Sequence, residues 1–324
     1  MPGLVDNSGR TIRHLRISIT DRCQLRCRYC LPEEGVRLLG HADILRYEEI
    51  LAVMRVALGE GIASARLTGG EPLLRRGVVS LVRDLALLEG LEDLSLTTNG
   101  IALPELAKPL REAGLGRINI GISSLDREVF RELTRGGDLA EALRGLEAAV
   151  AAGFRPVKVN VVALRGINDD IAPFLDLTRA YPVEVRFIEY MPIGPVPSER
   201  YFVPVAEIRE KLAAHGPFED AGRSAGYGPA ECGQRILGAP GSFATISSVD
   251  GHPCGRCNRL RLTSDGHLRP CLLSGREVDL KPALRPRHDP ERLRALLHEA
   301  VAEKPVSMPD AASDRGRGMS QIGG

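Results

Sequence analysis

Cysteine organises this sequence. Seven cysteines occur in 324 residues, and six of them fall into two sets of three. Cys23, Cys27 and Cys30 sit within one short stretch, and Cys254, Cys257 and Cys271 form a second group after residue 250. Thiolates bind metal, and a cubane [4Fe–4S] cluster normally takes four of them. Three leave one iron open to a cofactor or a substrate. Zinc is the competing reading, because it favours paired CxxC elements or a cysteine–histidine mixture. Neither His14 nor His41 has ligand spacing to the first set. In the second set His252 or His267 would complete a Cys3His site, and Cys232 would supply a fourth thiolate. We expect a cluster with one open iron at each set.

Three further features carry chemistry. Gly69-Gly70-Glu71-Pro72 offers bare backbone for close approach to a ligand, although a structural turn has the same composition. Arg259 and Arg261 alternate onto one side of an extended segment. Two guanidinium forks side by side suit an oligophosphate; an exposed charged strand face is the alternative. The chain ends in Gly323-Gly324, which lacks side chains and suits a narrow channel.

The elements that must position these groups follow from hydrophobic periodicity. Strands are expected at 14–20, 65–68, 93–98, 117–122, 157–163 and 183–188, with helices at 47–58, 77–88, 103–113, 140–152 and 170–180. Asp138 and Glu141 read as a capping box for the fourth of these helices, and Gly153 as its stop. Strand–helix alternation implies a parallel sheet with right-handed crossovers, and six units are too few for a full eight-stranded barrel. Chemistry then belongs at the C-terminal strand ends, where the first cysteines, the Gly-Gly-Glu-Pro element and Thr97 fall. Past Pro192 the alternation stops. Residues 222–241 read as a Gly-rich connection, 258–263 and 267–273 as a hairpin, and 289–301 as a helix capped by Asp289 with Pro290 first. We divide the chain into a barrel, 1–235, and a C-terminal region, 236–324.

Composition sets the outer bounds. Hydrophobic residues make up 43% and charged residues 26%, as in an ordinary globular protein. A net charge of +1 predicts no nucleic-acid or membrane partner. Residues 251–324 are locally basic, with 13 Lys/Arg against 9 Asp/Glu. No apolar run approaches a membrane span and the N-terminus lacks a signal-peptide core, so a cytoplasmic location with reduced cysteines is expected.

The Cys23–Cys30 spacing, with Tyr29 before the last cysteine, resembles the signature of radical S-adenosylmethionine enzymes, and the Gly-Gly-Glu-Pro element resembles theirs. From about Arg13 onward the chain is similar to the GTP 3′,8-cyclase family, which opens molybdenum-cofactor biosynthesis. The segments 16–23, 66–72, 158–160, 186–191, 254–261 and 319–324 carry this likeness. The resemblance implies an α/β fold, a partial (β/α)6 TIM-like barrel whose C-terminal region carries a second cluster. It implies two [4Fe–4S] clusters and S-adenosyl-L-methionine as cofactors, with Cys23, Cys27 and Cys30 on the first cluster and Cys254, Cys257 and Cys271 on the auxiliary one. Tyr29, Gly69, Gly70, Glu71, Ser123 and Met191 would meet S-adenosylmethionine. Arg16, Arg66, Thr97, Lys158, Arg186, Arg259, Leu260 and Arg261 would meet GTP. Arg16, Arg259, Arg261, Gly323 and Gly324 would act in catalysis.

The implied reaction removes the ribose 3′ hydrogen, joins that carbon to guanine C8 and reduces the product radical. Cyclic pyranopterin monophosphate synthase would take the product onward. A flavodoxin or ferredoxin would donate electrons, and a homodimer is possible. Gly121 stands where the family usually has Ser, for which Ser123 or Ser124 would substitute. The rivals are a peptide-modifying radical enzyme and a non-catalytic zinc or iron–sulfur protein.

Overall fold

A computed structural model describes residues 3–191, 199–222, 233–247, 254–307 and 317–323; Cys232, His252 and Gly324 lie outside the described residues. Six strands run consecutively and in parallel: β1 (His14–Ser18), β2 (Ser64–Thr68), β3 (Asp93–Thr98), β4 (Arg117–Gly121), β5 (Val157–Ala163) and β6 (Val183–Glu189). Helices α1 (Tyr47–Gly59), α2 (Val78–Ala86), α3 (Leu103–Glu112), α4 (Arg127–Thr134), α5 (Leu139–Ala151) and α6 (Ala172–Ala180) cross between them. This is the partial (β/α)6 barrel expected from the alternation. Beyond the helices expected from periodicity is α4, a short helix capped by Asp126, whose carboxylate accepts from the Glu128 and Val129 amides.

Side-chain alternation separates the two faces of the sheet. Leu15 and Ile17, Leu67, Leu96, Ile118 and Ile120, Val157 and Val159, and Val185 and Phe187 point outward into one buried apolar core shared with the helices. Truncating one of these large residues to Ala should cost about 2–5 kcal/mol. The residues between them, such as Arg16, Arg66, Thr97, Asn160 and Arg186, face the other way and line a cavity. The interior of this barrel therefore carries charged and polar side chains among apolar ones.

The remaining elements are α7 (Val205–Ala213), β7 (Phe218–Gly222), β8 (Gly233–Ile236), β9 (Ser242–Ile246), β10 (Arg259–Leu262), β11 (His267–Arg269), β12 (Val278–Asp279), α8 (Lys281–Leu284), α9 (Pro290–Ala302) and α10 (Met319–Ile322). β10 adds to β1 in parallel, pairing Arg261 with Arg16, and β11 folds back on β10 as the expected hairpin. At the other edge β9 adds to β6 in parallel. The later part of the chain thus extends the barrel sheet at both ends.

Asp289 caps α9, with Pro290 as its first residue, as expected. Asp138 caps α5 by accepting from the Ala140 amide, and Gly153 follows the helix with φ +80°. The expected capping box is not formed: no reciprocal bond from Glu141 is present among the described residues.

Candidate active site

The loop after β1 carries the first three cysteines, and the loop after β2 locks onto it. The Gly70 amide donates to the Thr20 carbonyl and the Glu71 amide to the Arg22 carbonyl, each at 2.7 Å. This contact explains the glycines. A Cβ at Gly69 would lie 2.4 Å from the Thr20 oxygen, and one at Gly70 would lie 2.3 Å from the Arg22 oxygen. The bare backbone therefore admits the cysteine loop itself, and both glycines also line the cavity.

Glu71 is buried, and its carboxylate accepts from the Leu73 amide, the Asn99 amide and the Thr98 hydroxyl. Burial nevertheless pushes its pKa up to about 7, against those lowering hydrogen bonds. Asn99 in turn donates through Nδ2 toward the Cys23 sulfur at 3.8 Å. Glu71 thus joins β3, the Gly-Gly-Glu-Pro loop and, through Asn99, the cysteine loop.

All three thiols line the cavity. Burial pushes the Cys23 thiol up to about 12 and raises Cys27, and burial with repulsion from Cys27 and Cys23 raises Cys30. Three soft donors whose thiolates are disfavoured without a counter-charge form a site that suits an iron–sulfur cluster. The Tyr29 hydroxyl accepts from Ser123 Oγ at 3.1 Å. Ser123 and Gly121 line the cavity, whereas Ser124 bonds Asp126 at the start of α4. Of the two serines, Ser123 is therefore the one that faces the cavity.

Next to the thiols stands a rung of cations. Arg261, Arg16 and Arg66 occupy matching positions on three neighbouring strands, with Arg259 two residues before Arg261. Burial first, and neighbouring guanidinium charges second, pull Arg66 and Arg261 down to about 9. Arg66 Nη2 and Arg259 Nε have no hydrogen-bond partner among the described residues. Buried like charges with unused donors call for a polyanion. Thr97, Asn160 and Arg186 complete this part of the lining, and Arg186 Nε bonds Glu184 at 2.6 Å.

The second cysteine set faces the same cavity through Cys257 and Cys271, with Cys254 one helical turn before Cys257. Burial raises the Cys257 thiol, but Lys304 and Arg259 outweigh it and hold the thiol below its usual range. The C-terminal segment closes the space. Ile322 is buried against Leu273, with Met191, Met319 and Cys271 packed around them. Arg261 Nη1 donates to the Gly323 carbonyl at 2.5 Å.

Most of the expected site residues converge on this one cavity of about 340 Å³, which holds cysteines of both sets, the cations, Tyr29, Ser123, Glu71 and Met191. Two do not line it. Lys158 lies one layer deeper, its ammonium 3.7 Å from Glu184, because it precedes Asn160 by two on β5. Leu260 has its side chain in the apolar core, because it alternates with Arg259 and Arg261. Lys304, Asn160 and Asn99 line the cavity and were not expected. Alternation from Lys158 would have found Asn160; nothing in the sequence marks Lys304.

Residues 17–178 match the family model described as the Radical SAM superfamily, and residues 183–308 match Molybdenum Cofactor Synthesis C. The GTP 3′,8-cyclase of Moorella thermoacetica is 49% identical, covering 98% of this chain and 99% of that protein. That of Pelotomaculum thermopropionicum is also 49% identical over the same shares. The chain belongs to the GTP 3′,8-cyclase family. Members of this family are radical S-adenosylmethionine enzymes of molybdenum-cofactor biosynthesis, and this chain is one of them; its cofactors are two [4Fe–4S] clusters and S-adenosylmethionine. The zinc readings and the non-catalytic rival fall with that assignment. A crystal structure of Streptococcus suis SuiB superposes with a TM-score of 0.64 at 13% identity, covering 92% of this chain and 68% of that one, and supports the fold alone. Among the described residues no helix is long and apolar enough to cross a membrane.

Proposed function

We propose that this chain converts GTP to 3′,8-cyclo-7,8-dihydroguanosine 5′-triphosphate within the cavity between its two cysteine sets. The observation that carries this reading is the cation rung, with unused guanidinium donors, lining one cavity together with thiols of both sets. Cys23, Cys27 and Cys30 would hold the first cluster, and Cys254, Cys257 and Cys271 the auxiliary one. S-adenosylmethionine bound beside Cys23, Cys27 and Cys30 would supply the radical chemistry that acts on the ribose 3′ position.

The chain's own residues bind, orient and enclose. Tyr29, Gly70, Ser123 and Met191 border the cofactor side, with Glu71 fixing the loop beneath. Arg16, Arg66, Arg186, Arg259 and Arg261 neutralise the triphosphate, with Thr97 beside them. Lys158 raises the positive potential from the layer below, and Leu260 contributes backbone only. The Gly323-Gly324 tail shields the radical from water. A barrel unit of 1–235 and a C-terminal unit of 236–324 would divide these tasks. Cyclic pyranopterin monophosphate synthase would consume the product, a flavodoxin or ferredoxin would supply electrons, and a cytoplasmic homodimer completes the proposal.

The test is GTP affinity. Each lost charge-assisted hydrogen bond is worth about 1.5–3 kcal/mol, so Arg66→Gln and Arg259→Gln should each weaken GTP binding by roughly 10- to 150-fold. Unchanged affinity in both variants would contradict the triphosphate assignment.

A further inference from the structure

Lys304 is a buried ammonium, 5% exposed, two residues past the end of α9. Its Nζ donates to the Arg259 carbonyl at 2.7 Å and to the Pro270 carbonyl at 2.6 Å. Arg259 lies two residues after Cys257, and Pro270 immediately precedes Cys271. One side chain therefore ties together the two segments that present these thiols. An ammonium has three donors, so two are used on these carbonyls, and the Cys257 thiol lies near enough to favour the charged form.

Burying this charge is costly unless it is compensated. Among the described residues no carboxylate pairs with Lys304; the Cys257 and Cys271 thiols are the nearby groups that favour its charged form, and Arg10 opposes it. Arg10 is itself engaged, bonded to Asp6 and to the Cys254 and Pro305 carbonyls.

We infer that Lys304 is a positioning and charge-compensating residue of the auxiliary site, holding the Cys257 and Cys271 segments together and offsetting the negative charge of their thiolates. The inference rests on the assignment of the auxiliary cluster to Cys254, Cys257 and Cys271. Net charge and hydrogen bonds to sulfur set a cluster's reduction potential. Removing a cation makes adding an electron harder, so loss of Lys304 moves the auxiliary potential negative and leaves the first cluster unchanged.

The experiment compares anaerobically reconstituted wild type, Lys304→Met and Lys304→Arg by iron content and redox titration followed by electron paramagnetic resonance. A triple Cys254→Ser, Cys257→Ser, Cys271→Ser protein supplies the signal of the first cluster alone. The expected result for Lys304→Met is an auxiliary potential shifted negative, or selective loss of that cluster, with Lys304→Arg retaining both clusters and a potential near wild type. An unshifted potential in a Lys304→Met protein with full iron overturns the inference, as does Lys304→Arg failing in the same way as Lys304→Met. A triple-serine protein with as much iron as wild type overturns the cluster assignment instead.

Discussion

Arg261 holds the C-terminal tail inside the barrel: its guanidinium donates to the Gly323 carbonyl at 2.5 Å, while Gly323 lies against Ser18 and Thr68 of β1 and β2. The tail is also moored from outside, because Arg317 pairs with Asp265 at 3.0 Å and Glu277 at 2.8 Å. A cation expected to meet substrate thus also fixes the tail, and the two roles share one side chain.

Removing Gly323 and Gly324 should abolish cyclised product while both clusters remain, as read by iron content and product mass spectrometry. Gly323 has φ +73°, and a Cβ there would lie 2.9 Å from Thr68 Cγ2. Gly323→Ala should therefore cost about 1–2 kcal/mol, a fall of roughly tenfold in activity. Full activity in the truncated protein contradicts a role for the tail.

Glu71 predicts a coupled loss. Glu71→Ala deprives the Leu73 and Asn99 amides of their acceptor in a buried site. Stability should fall by about 2–4 kcal/mol, and 5′-deoxyadenosine formation should fall with it as the cysteine loop loosens. Glu71→Gln, which keeps one acceptor oxygen, should lose less of both. A Glu71→Ala protein with wild-type denaturation midpoint would show that this clamp does not matter.

Stability should also depend on pH through Glu49. This buried carboxylate on α1 accepts from Arg285 at 2.7 and 3.0 Å, joining α1 to the C-terminal region. Burial raises its pKa, but the Arg285 and Arg46 bonds outweigh that and hold it at about 2. A carboxylate depressed in the fold stabilises above its unfolded pKa and loses that contribution as pH falls toward the folded value. Glu49 should thus contribute up to about 3 kcal/mol at neutral pH, lost between about pH 4.5 and 2. Denaturant titrations of wild type and Glu49→Gln should show a gap about 1 kcal/mol smaller at pH 3.5 than at pH 7; a constant gap contradicts the ion pair.

What the sequence disclosed, and what it hid, follows the range of the interactions. Cysteine spacing, the β1–β6 alternation and the Asp289 cap are local, and each is present as read. The docking of β9 and β10 onto opposite edges of the sheet is a non-local pairing with no local signature. Gly69 and Gly70 announced a close approach, but only the folded chain reveals that Thr20 and Arg22 are what approaches. Lys158 and Leu260 were placed by motif, whereas their depth is set by strand register and alternation. Lys304 looks like an ordinary solvated lysine after a helix until β10 and the Pro270 turn close over it.

The central claim is that radical formation and GTP cyclisation occur in one cavity, coupled one to one. The direct measurement is anaerobic turnover of the reconstituted protein with S-adenosylmethionine, reductant and GTP, quantifying 5′-deoxyadenosine and cyclised GTP by mass spectrometry. Equal amounts of both are the expected result. 5′-Deoxyadenosine formed with GTP untouched, in protein that holds both clusters, would contradict it.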